Sequence, residues 1–159
     1  MTLYLVRHAH AGSRRAWEGD QDDRPLSDRG LAQAAHLAAL LSDASVGVVW
    51  SSPAVRCVQT VEGIAAAAGL AVAVEAFLGE GNDAGKAALR LVEQAAALDG
   101  DLVACSHGDL IPRAVGLLVT DGLRIDGTEG PAMCKKGSMW AIEVHGGRAT
   151  TARYIPPGL

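Results

Sequence analysis

The sequence predicts an α/β fold with three layers, in which helices flank a mainly parallel β-sheet. Short apolar segments rich in strand-forming residues alternate with segments whose apolar residues recur at helical spacing. This alternation is typical of parallel sheets covered by helices. In addition, polar side chains suited to chemistry directly follow the predicted strands, where ligands bind in sheets of this kind.

Six strands are predicted from apolar runs bounded by turn-forming residues. Four of them are expected at residues 2–6, 46–50, 70–74 and 101–105. The other two lie within residues 137–155, on either side of a turn at Gly146–Gly147. The tail therefore adds a pair of strands to the alternating part of the chain.

Four helices are predicted between and after these strands. Ser27 can cap the first helix. Ser52 and Pro53 mark the start of the second, with Ser as N-cap and Pro as the first helical residue. The third and fourth are expected at residues 84–98 and 110–119. On the first and third helices, the side chains expected to face the core are Leu31, Ala34, Ala35, Ala38, Leu41, Leu89, Val92 and Leu98.

Length and composition fit a single domain spanning residues 1–159. The chain has a mass of 16.4 kDa, and it is 49% hydrophobic and 20% charged, as folded proteins commonly are. Aromatic residues contribute only 4%, so aliphatic side chains and 29 alanines must fill the core.

The charge balance argues against a general nucleic-acid-binding protein. Net charge is −4 and the isoelectric point is about 5.7, whereas non-specific nucleic-acid affinity needs a basic surface. The basic residues are nevertheless 11 Arg and only 3 Lys. Because Arg binds phosphate with a bidentate fork, local Arg clusters for anionic ligands remain possible.

Cysteine content and hydropathy point to the cytoplasm. The chain has three Cys and no C-x-x-C motif, which predicts neither a disulfide framework nor a cysteine zinc site. The apolar run at the amino terminus is too short for a signal peptide, and no stretch approaches the roughly 18 apolar residues of a membrane helix. We therefore expect no membrane partner, and the oligomeric state is left open.

Reactive side chains follow four separate strands. Arg7 and His8 follow the first, the segment 51–56 follows the second, Glu80 lies in the loop after the third, and His107 follows the fourth. Because ligands bind beyond the carboxyl ends of parallel strands, these residues should meet at one edge of the sheet.

The motifs LVRHAHAG, DRPLSDRGLAQA, SSPAVRCVQT and CSHGD, in this order and spacing, resemble the histidine phosphatase superfamily. That superfamily includes the phosphoglycerate mutases and acid phosphatases. The small size and the R-P-L-S-x-R-G stretch are similar to its short bacterial members, among them phosphohistidine phosphatases and the phosphatase domain fused to some Nudix hydrolases. The resemblance covers about residues 2–112 and implies a phosphoglycerate mutase-like fold.

The resemblance implies a phosphatase in which His8 is the nucleophile and carries the phosphoryl group as phosphohistidine. Arg7 and Arg56 would hold the non-bridging oxygens, and His107 would donate a hydrogen bond to them. Such covalent catalysis splits one transfer into two easier steps. Because phosphoryl transfer depends chiefly on positioning and charge stabilisation, neither a metal nor another cofactor is expected.

The general acid is less clear. Many family members place a Glu in the loop after the third strand, and Glu80 in FLGEGN is the matching candidate. Asp109 is the runner-up, although as an N-cap for the helix at 110 it would be purely structural. With a good leaving group such as phosphohistidine, no strong acid is needed.

Substrate selection is assigned to loops around these residues. His10 stands where the commoner R-H-G-E pattern has Glu, and with Ser13 it is a candidate for substrate binding. The loops 9–24, 75–85 and 121–136 are expected to discriminate between a phosphorylated small molecule and a phosphohistidine protein.

Three alternatives remain at this point. A non-catalytic protein of the same fold could bind a phosphorylated ligand. A metal-dependent phosphohydrolase could use His8, His10, His107 and a carboxylate as ligands, although Arg56 would then have no use. A thiol nucleophile at Cys105 is the third, and burial at the end of an apolar strand argues against it.

Overall fold

The computed structural model describes residues 1–158 as a seven-stranded sheet with four helices. The strands are β1 (Thr2–Arg7), β2 (Val46–Ser51), β3 (Val72–Val74), β4 (Asp101–Ser106), β5 (Arg124–Ile125), β6 (Met139–His145) and β7 (Arg148–Ile155). The helices are α1 (Asp28–Leu40), α2 (Val55–Ala67), α3 (Ala84–Ala97) and α4 (Ile111–Thr120), with short 3-10 turns at Gln21–Asp23 and Ala76–Leu78. Six strands and four helices were predicted; the two-residue β5 was not.

The sheet is mainly parallel, as predicted. Its strand order is β3-β2-β4-β1-β6-β7-β5. Strands β3, β2, β4 and β1 run parallel to one another, β6 is antiparallel to β1, and β7 returns antiparallel to β6. The register pairs Arg7 with Ser106 and Ser51 with Cys105, so the carboxyl ends of three central strands lie at the same level.

Two hydrophobic clusters on opposite faces of the sheet give the three layers. Leu3 and Leu5 of β1 belong to one cluster, which includes residues of α3 and α4, whereas Val6 belongs to the other, which includes residues of α1 and α2. The period of two along a strand produces this division, because successive side chains point to opposite faces. Among residues 1–158, no helix is long and apolar enough to cross a membrane.

The starts of the first two helices differ in how well the sequence predicts them. Ser27 caps α1 as expected, its side chain accepting a hydrogen bond from the Gly30 amide at 3.1 Å. Helix α2 instead begins at Val55, with Ala54 as N-cap, so the prediction of Pro53 as first helical residue was wrong. The Ser52 hydroxyl lies 2.8 Å from the ring of His107, a partner from another strand that a local capping rule does not anticipate.

The helical faces were predicted in part. Ala34, Leu41 and Val92 are buried as expected, but Leu31 and Leu89 are 48% and 62% exposed. The other expected core side chains range from half-buried Ala38 and Leu98 to exposed Ala35. On the first helix, Leu37 and Gln33 occupy the interior, and the Gln33 amide oxygen accepts a hydrogen bond from the His10 backbone at 2.9 Å. Because the polar Gln33 is buried, the face of α1 that packs inward differs from the face predicted from apolar residues alone.

Candidate active site

The residues predicted to converge do so at the carboxyl edge of the sheet. His8 follows β1, His107 follows β4, Arg56 lies in the first turn of α2, and Glu80 lies on the loop before α3. The rings of His8 and His107 face each other edge to face, with centroids 5.4 Å apart. A cavity of about 370 Å³ opens above them, and it is lined by Arg7, His8, Gly12, Arg14, Arg24, Glu80, Gly108, Asp109 and Lys136.

The geometry around His8 fixes which ring nitrogen is available. The side chain is only 4% exposed, and its Nδ1 lies 2.8 Å from the carbonyl oxygen of Ala9. Because a carbonyl can only accept, Nδ1 must carry the proton, and the neutral ring keeps a lone pair on Nε2. Burial lowers the pKa of His8 to about 3, and the neighbouring His107, Arg56 and Arg7 oppose protonation further. The imidazole is therefore neutral at physiological pH.

Two arginines present unused donors beside this ring. Arg7 donates to the Cys134 carbonyl at 2.6 Å, and the fully buried Arg56 donates to the Gln21 carbonyl at 2.7 Å. Within residues 1–158, the buried Nε atoms of both guanidinium groups have no hydrogen-bond partner. An unsatisfied buried donor is costly, and a bound anion would supply its acceptor.

His107 is held by contacts on both sides of its ring. Its Nε2 lies 2.8 Å from the Ser52 hydroxyl and 3.5 Å from the Cys57 sulfur. Its Nδ1 lies 3.3 Å from both Arg56 Nη2 and Glu80 Oε1. The side chain is 2% exposed, so its orientation is fixed before any ligand arrives.

Glu80 is the acidic member of the cluster. Its Oε1 lies 2.8 Å from both Arg14 Nη2 and Arg56 Nη2. Partial burial acts to raise the pKa of this carboxyl, but the charges of His107, Arg14 and Arg56 outweigh burial and lower the pKa overall. Glu80 is thus ionised, and it occupies an Arg56 donor that could otherwise bind an anion.

Gly108 and Asp109 complete the loop after β4. A Cβ atom at Gly108 would lie 2.8 Å from the Arg7 guanidinium carbon, so glycine here allows the close approach of that side chain. Asp109 was considered as a possible N-cap of the fourth helix. It does not have this role, because α4 begins at Ile111 and has no side-chain cap. The Asp109 carboxylate instead accepts a hydrogen bond from the Gly81 amide at 2.8 Å and lines the cavity.

Four of the five predicted substrate-binding residues are not part of the cavity lining. Arg56 and His107 contact the lining residue Glu80, whereas His10 and Ser13 lie elsewhere. His10 Nδ1 is 2.6 Å from the Ser27 hydroxyl, so its ring supports the start of α1. Ser13 is exposed, and its hydroxyl accepts a hydrogen bond from the Ala16 amide at 3.3 Å; it lines a neighbouring shallow groove with Trp17. Their role in binding substrate remains a prediction.

Arg24 and Lys136 also line the cavity, and neither was predicted as a site residue. Arg24 is 5% exposed, and it donates to the Ala11 carbonyl at 2.5 Å and to the Gln21 side chain at 3.1 Å. Its place in the R-P-L-S-x-R-G stretch was the signal that could have found it. Lys136 follows an irregular segment without periodicity, and no comparable signal exists there.

The rival site chemistries have little geometric support. Cys105 is fully buried, and burial, followed by the adjacent Cys57, raises the pKa of its thiol, which is the opposite of what a nucleophile needs. In the part of the chain that the structure describes, no three His, Cys, Asp or Glu side chains are placed to hold a metal ion together.

The fold and the site define a class: an α/β protein in which two His and two Arg side chains meet at the carboxyl edge of the sheet. Residues 3–87, more than half of the chain, match the family model of the histidine phosphatase superfamily (branch 1). The chain belongs to this superfamily.

A relative and several structural neighbours of the chain are named phosphatases. An 8-oxo-(d)GTP phosphatase of Mycolicibacterium smegmatis is 32% identical over 158 residues; the match covers 98% of this chain and 48% of the relative, so the chain spans about half the relative's length. The protein histidine phosphatase SixA, solved with tungstate, superposes with a TM-score of 0.77 at 21% identity over 99% of this chain and 96% of SixA. A mycobacterial glucosyl-3-phosphoglycerate phosphatase superposes with a TM-score of 0.66 at 17% identity over 96% of each chain. At these identities the two structures show the shared fold alone.

Proposed function

We propose that the protein is a metal-independent phosphatase that hydrolyses a phosphoric monoester or a phosphohistidine through a phosphorylated His8. The observation that carries this proposal is the free lone pair on His8 Nε2 beside two buried guanidinium groups with unused donors. A nucleophile and preorganised donors are what phosphoryl transfer requires of a protein.

In the first step, His8 Nε2 forms a bond to phosphorus while the bond from phosphorus to the leaving oxygen or nitrogen breaks. Arg7, Arg56 and His107 hold the non-bridging oxygens, whose charge they stabilise. In the second step, water attacks the same phosphorus and the phosphorus–nitrogen bond breaks. Inorganic phosphate leaves, and His8 returns to its neutral form.

Glu80 is proposed as the general acid that protonates the leaving atom. In the free protein the carboxylate is ionised by its arginine neighbours. A phosphoryl dianion would compete for those same arginines and would raise the pKa of Glu80 by its negative charge. Substrate binding would therefore prepare the carboxyl to take up the proton that it later gives to the leaving group.

The substrate class is supported by the relatives and by the charge distribution. The curated relative is named for a nucleotide substrate and SixA for protein histidine, which fits a phosphorylated small molecule or a phosphohistidine protein here. The net charge of −4 gives no general basis for binding nucleic acid. We also place the reaction in the cytoplasm, a proposal supported by three free cysteines.

The test is hydrolysis of p-nitrophenyl phosphate and of a phosphohistidine protein, with and without EDTA. Wild-type activity should survive EDTA, and His8→Ala should lose it. A variant retaining more than about a tenth of the wild-type rate would end the covalent mechanism, since removing a covalent nucleophile normally costs several orders of magnitude. Wild type that binds orthophosphate but turns over neither substrate would identify a phospho-ligand-binding protein instead. Loss of activity with EDTA would point to metal chemistry.

A further inference from the structure

The cavity contains more cations than one phosphoryl group needs. Its floor, which we define as the lining residues Arg7 and His8 together with the adjoining Arg56 and His107, already provides two guanidinium groups. A cationic rim, which we define as Arg14, Arg24 and Lys136, lines the same cavity. A chain with a net charge of −4 thus concentrates five cations around one small space.

Carboxylates pair with only one member of the rim. Glu80 binds Arg14 of the rim and Arg56 of the floor, whereas the Asp109 carboxylate accepts a hydrogen bond from the neutral Gly81 amide. Within residues 1–158, neither Arg24 nor Lys136 has a carboxylate within ion-pair distance. Like charges held close together destabilise a protein unless a ligand or counterion neutralises them.

Lys136 is the clearest case. It is half-buried, and nothing in the described range 1–158 pairs with its ammonium group. Burial lowers the pKa of Lys136, and the positive charges of four nearby arginines, led by Arg7, lower it further. The backbone next to Lys136 is fixed beside the floor, because the Gly137 amide donates to the Arg7 and His8 carbonyls at 3.3 and 3.2 Å. The repulsion between Lys136 and the arginines therefore arises from backbone contacts at the end of β1.

The side chain of Arg24 is also held in a fixed position. Its guanidinium is buried and fixed by the Ala11 carbonyl and the Gln21 side chain, yet it lines the cavity beside the floor. Arg14 differs, since it is an exposed side chain paired with Glu80. The two members without a carboxylate partner are thus Arg24 and Lys136.

We propose that Arg24 and Lys136 form a second anion site, which binds an anionic group on the leaving-group side of the substrate. This inference rests on the proposed function for the identity of the floor. The preferred ligands would be phosphorylated molecules with a second anion close to the transferred phosphoryl group, either another phosphate or a carboxylate. A phosphomonoester with an uncharged leaving group would use the floor alone.

Calorimetric titration of the His8→Ala protein tests the site without turnover. The probes are inorganic phosphate, inorganic pyrophosphate and 3-phosphoglycerate, in metal-free buffer. At least one of the two-anion probes should bind about tenfold more tightly than phosphate, as expected for one additional charge-assisted contact. Which probe is preferred distinguishes a second phosphate from a carboxylate. Equal affinity for all three would overturn the proposal.

Substitution of Lys136 assigns the preference to the rim. In the His8→Ala background, Lys136→Met should bring the affinity ratio towards one, and Lys136→Gln serves if the Met variant does not fold. Lys135→Met is the matched control, because Lys135 is the exposed neighbour and does not line the cavity. A ratio unchanged by either Lys136 variant would refute the proposed site. If the two-anion preference depends on Lys136 but wild type hydrolyses no phosphorylated substrate, only the proposed function is refuted.

Discussion

The floor of the cavity differs in construction from Arg14 and Lys136 of the rim, whereas Arg24, the third rim residue, is as buried as the floor at 5% exposed. The floor side chains His8, Arg56 and His107 are at most 4% exposed and are held by several short contacts each. The rim includes Arg14, whose side chain is 57% exposed, and the unpaired Lys136. The floor residues lie at the ends of β1 and β4 or, for Arg56, in the first turn of α2, whereas the rim residues come from irregular loops.

This difference separates positioning from selection. Buried donors with fixed orientations need no reorganisation when charge develops on a bound group, so they can stabilise a transition state. Exposed charges act over a distance, are screened by salt, and contribute less per pair. We therefore expect floor substitutions to change the rate for every substrate and rim substitutions to change which substrate is preferred.

The largest effect should follow from replacing an arginine of the floor. We expect Arg56→Ala to reduce kcat/KM by about 10²–10³-fold, the loss seen when one preorganised donor is removed. Arg56→Lys should recover little, because an ammonium group cannot reproduce the fork of the guanidinium. Arg14→Ala should cost less than about tenfold, as its ion pair is exposed. If both alanine variants lost the same activity, the distinction between floor and rim would fail; denaturant unfolding of each variant separates activity from stability.

The next largest effect should follow from replacing Glu80, which binds Arg56 of the floor and Arg14 of the rim. Glu80→Gln should slow a poor leaving group such as an alkyl phosphate by about a hundredfold, the lower end of general acid catalysis. It should slow p-nitrophenyl phosphate far less, because nitrophenolate leaves without protonation. Parallel kcat measurements on both substrates decide the question. Equal losses would show that Glu80 acts through the arginines it binds and not by proton transfer.

A third prediction uses pH to examine the burial of the floor. The folded pKa of His8, about 3, lies below its ordinary value of 6.5, so below pH 6.5 the unfolded chain binds a proton that the folded one does not. Between pH 7.5 and pH 5, wild type should lose about 2 kcal/mol more unfolding free energy than His8→Asn. Urea unfolding at both pH values measures the difference.

The matched control for this measurement is His145→Asn, which removes an imidazole that is exposed on the hairpin between β6 and β7. Its Nε2 lies 3.9 Å from Glu143 Oε2, far from the floor, so this variant should keep the pH-dependent loss of stability that His8→Asn removes. Identical behaviour of all three proteins would mean that His8 is more open to water than its 4% exposure indicates.

The smallest effect should follow from removing the Ser52 hydroxyl, which contacts the ring of His107. Ser52→Ala removes the hydroxyl that lies 2.8 Å from His107 Nε2, and we expect kcat to fall about tenfold, the value of one buried hydrogen bond. Ser42→Ala, at an exposed site on the far end of α1, controls for loss of a hydroxyl. An unchanged kcat would show that Cys57, Glu80 and Arg56 hold the ring in place without the hydroxyl.

The floor could be predicted from sequence because parallel strands end at a common edge. Arg7 ends β1, and His8 and His107 directly follow β1 and β4, so the meeting of these three residues required no knowledge of side-chain contacts. Arg56 required only the first turn of the next helix. The four predicted strands of the parallel part were all found, although β3 is shorter than expected and starts at Val72.

The rim could not be predicted in the same way. Lys136 lies about 130 residues from His8 in sequence and reaches it through backbone hydrogen bonds of Gly137, which no periodicity encodes. Ser52 and Gln33 were misassigned or overlooked for a related reason, since each hydroxyl or amide bonds to a residue from a distant segment. Local rules assign such groups to caps or surfaces, whereas tertiary partners decide their place.

The position of β1 in the sheet has a consequence for how the site opens. This strand is the fourth of seven, and at its end the amides of Arg7 and His8 donate to the Ser138 and Ser106 carbonyls. Amides in the middle of a sheet exchange with solvent only when the whole domain unfolds, whereas loop amides exchange through small local openings. The nucleophile should accordingly share the slowest deuterium uptake of the chain, while the loop that bears Arg14 exchanges early.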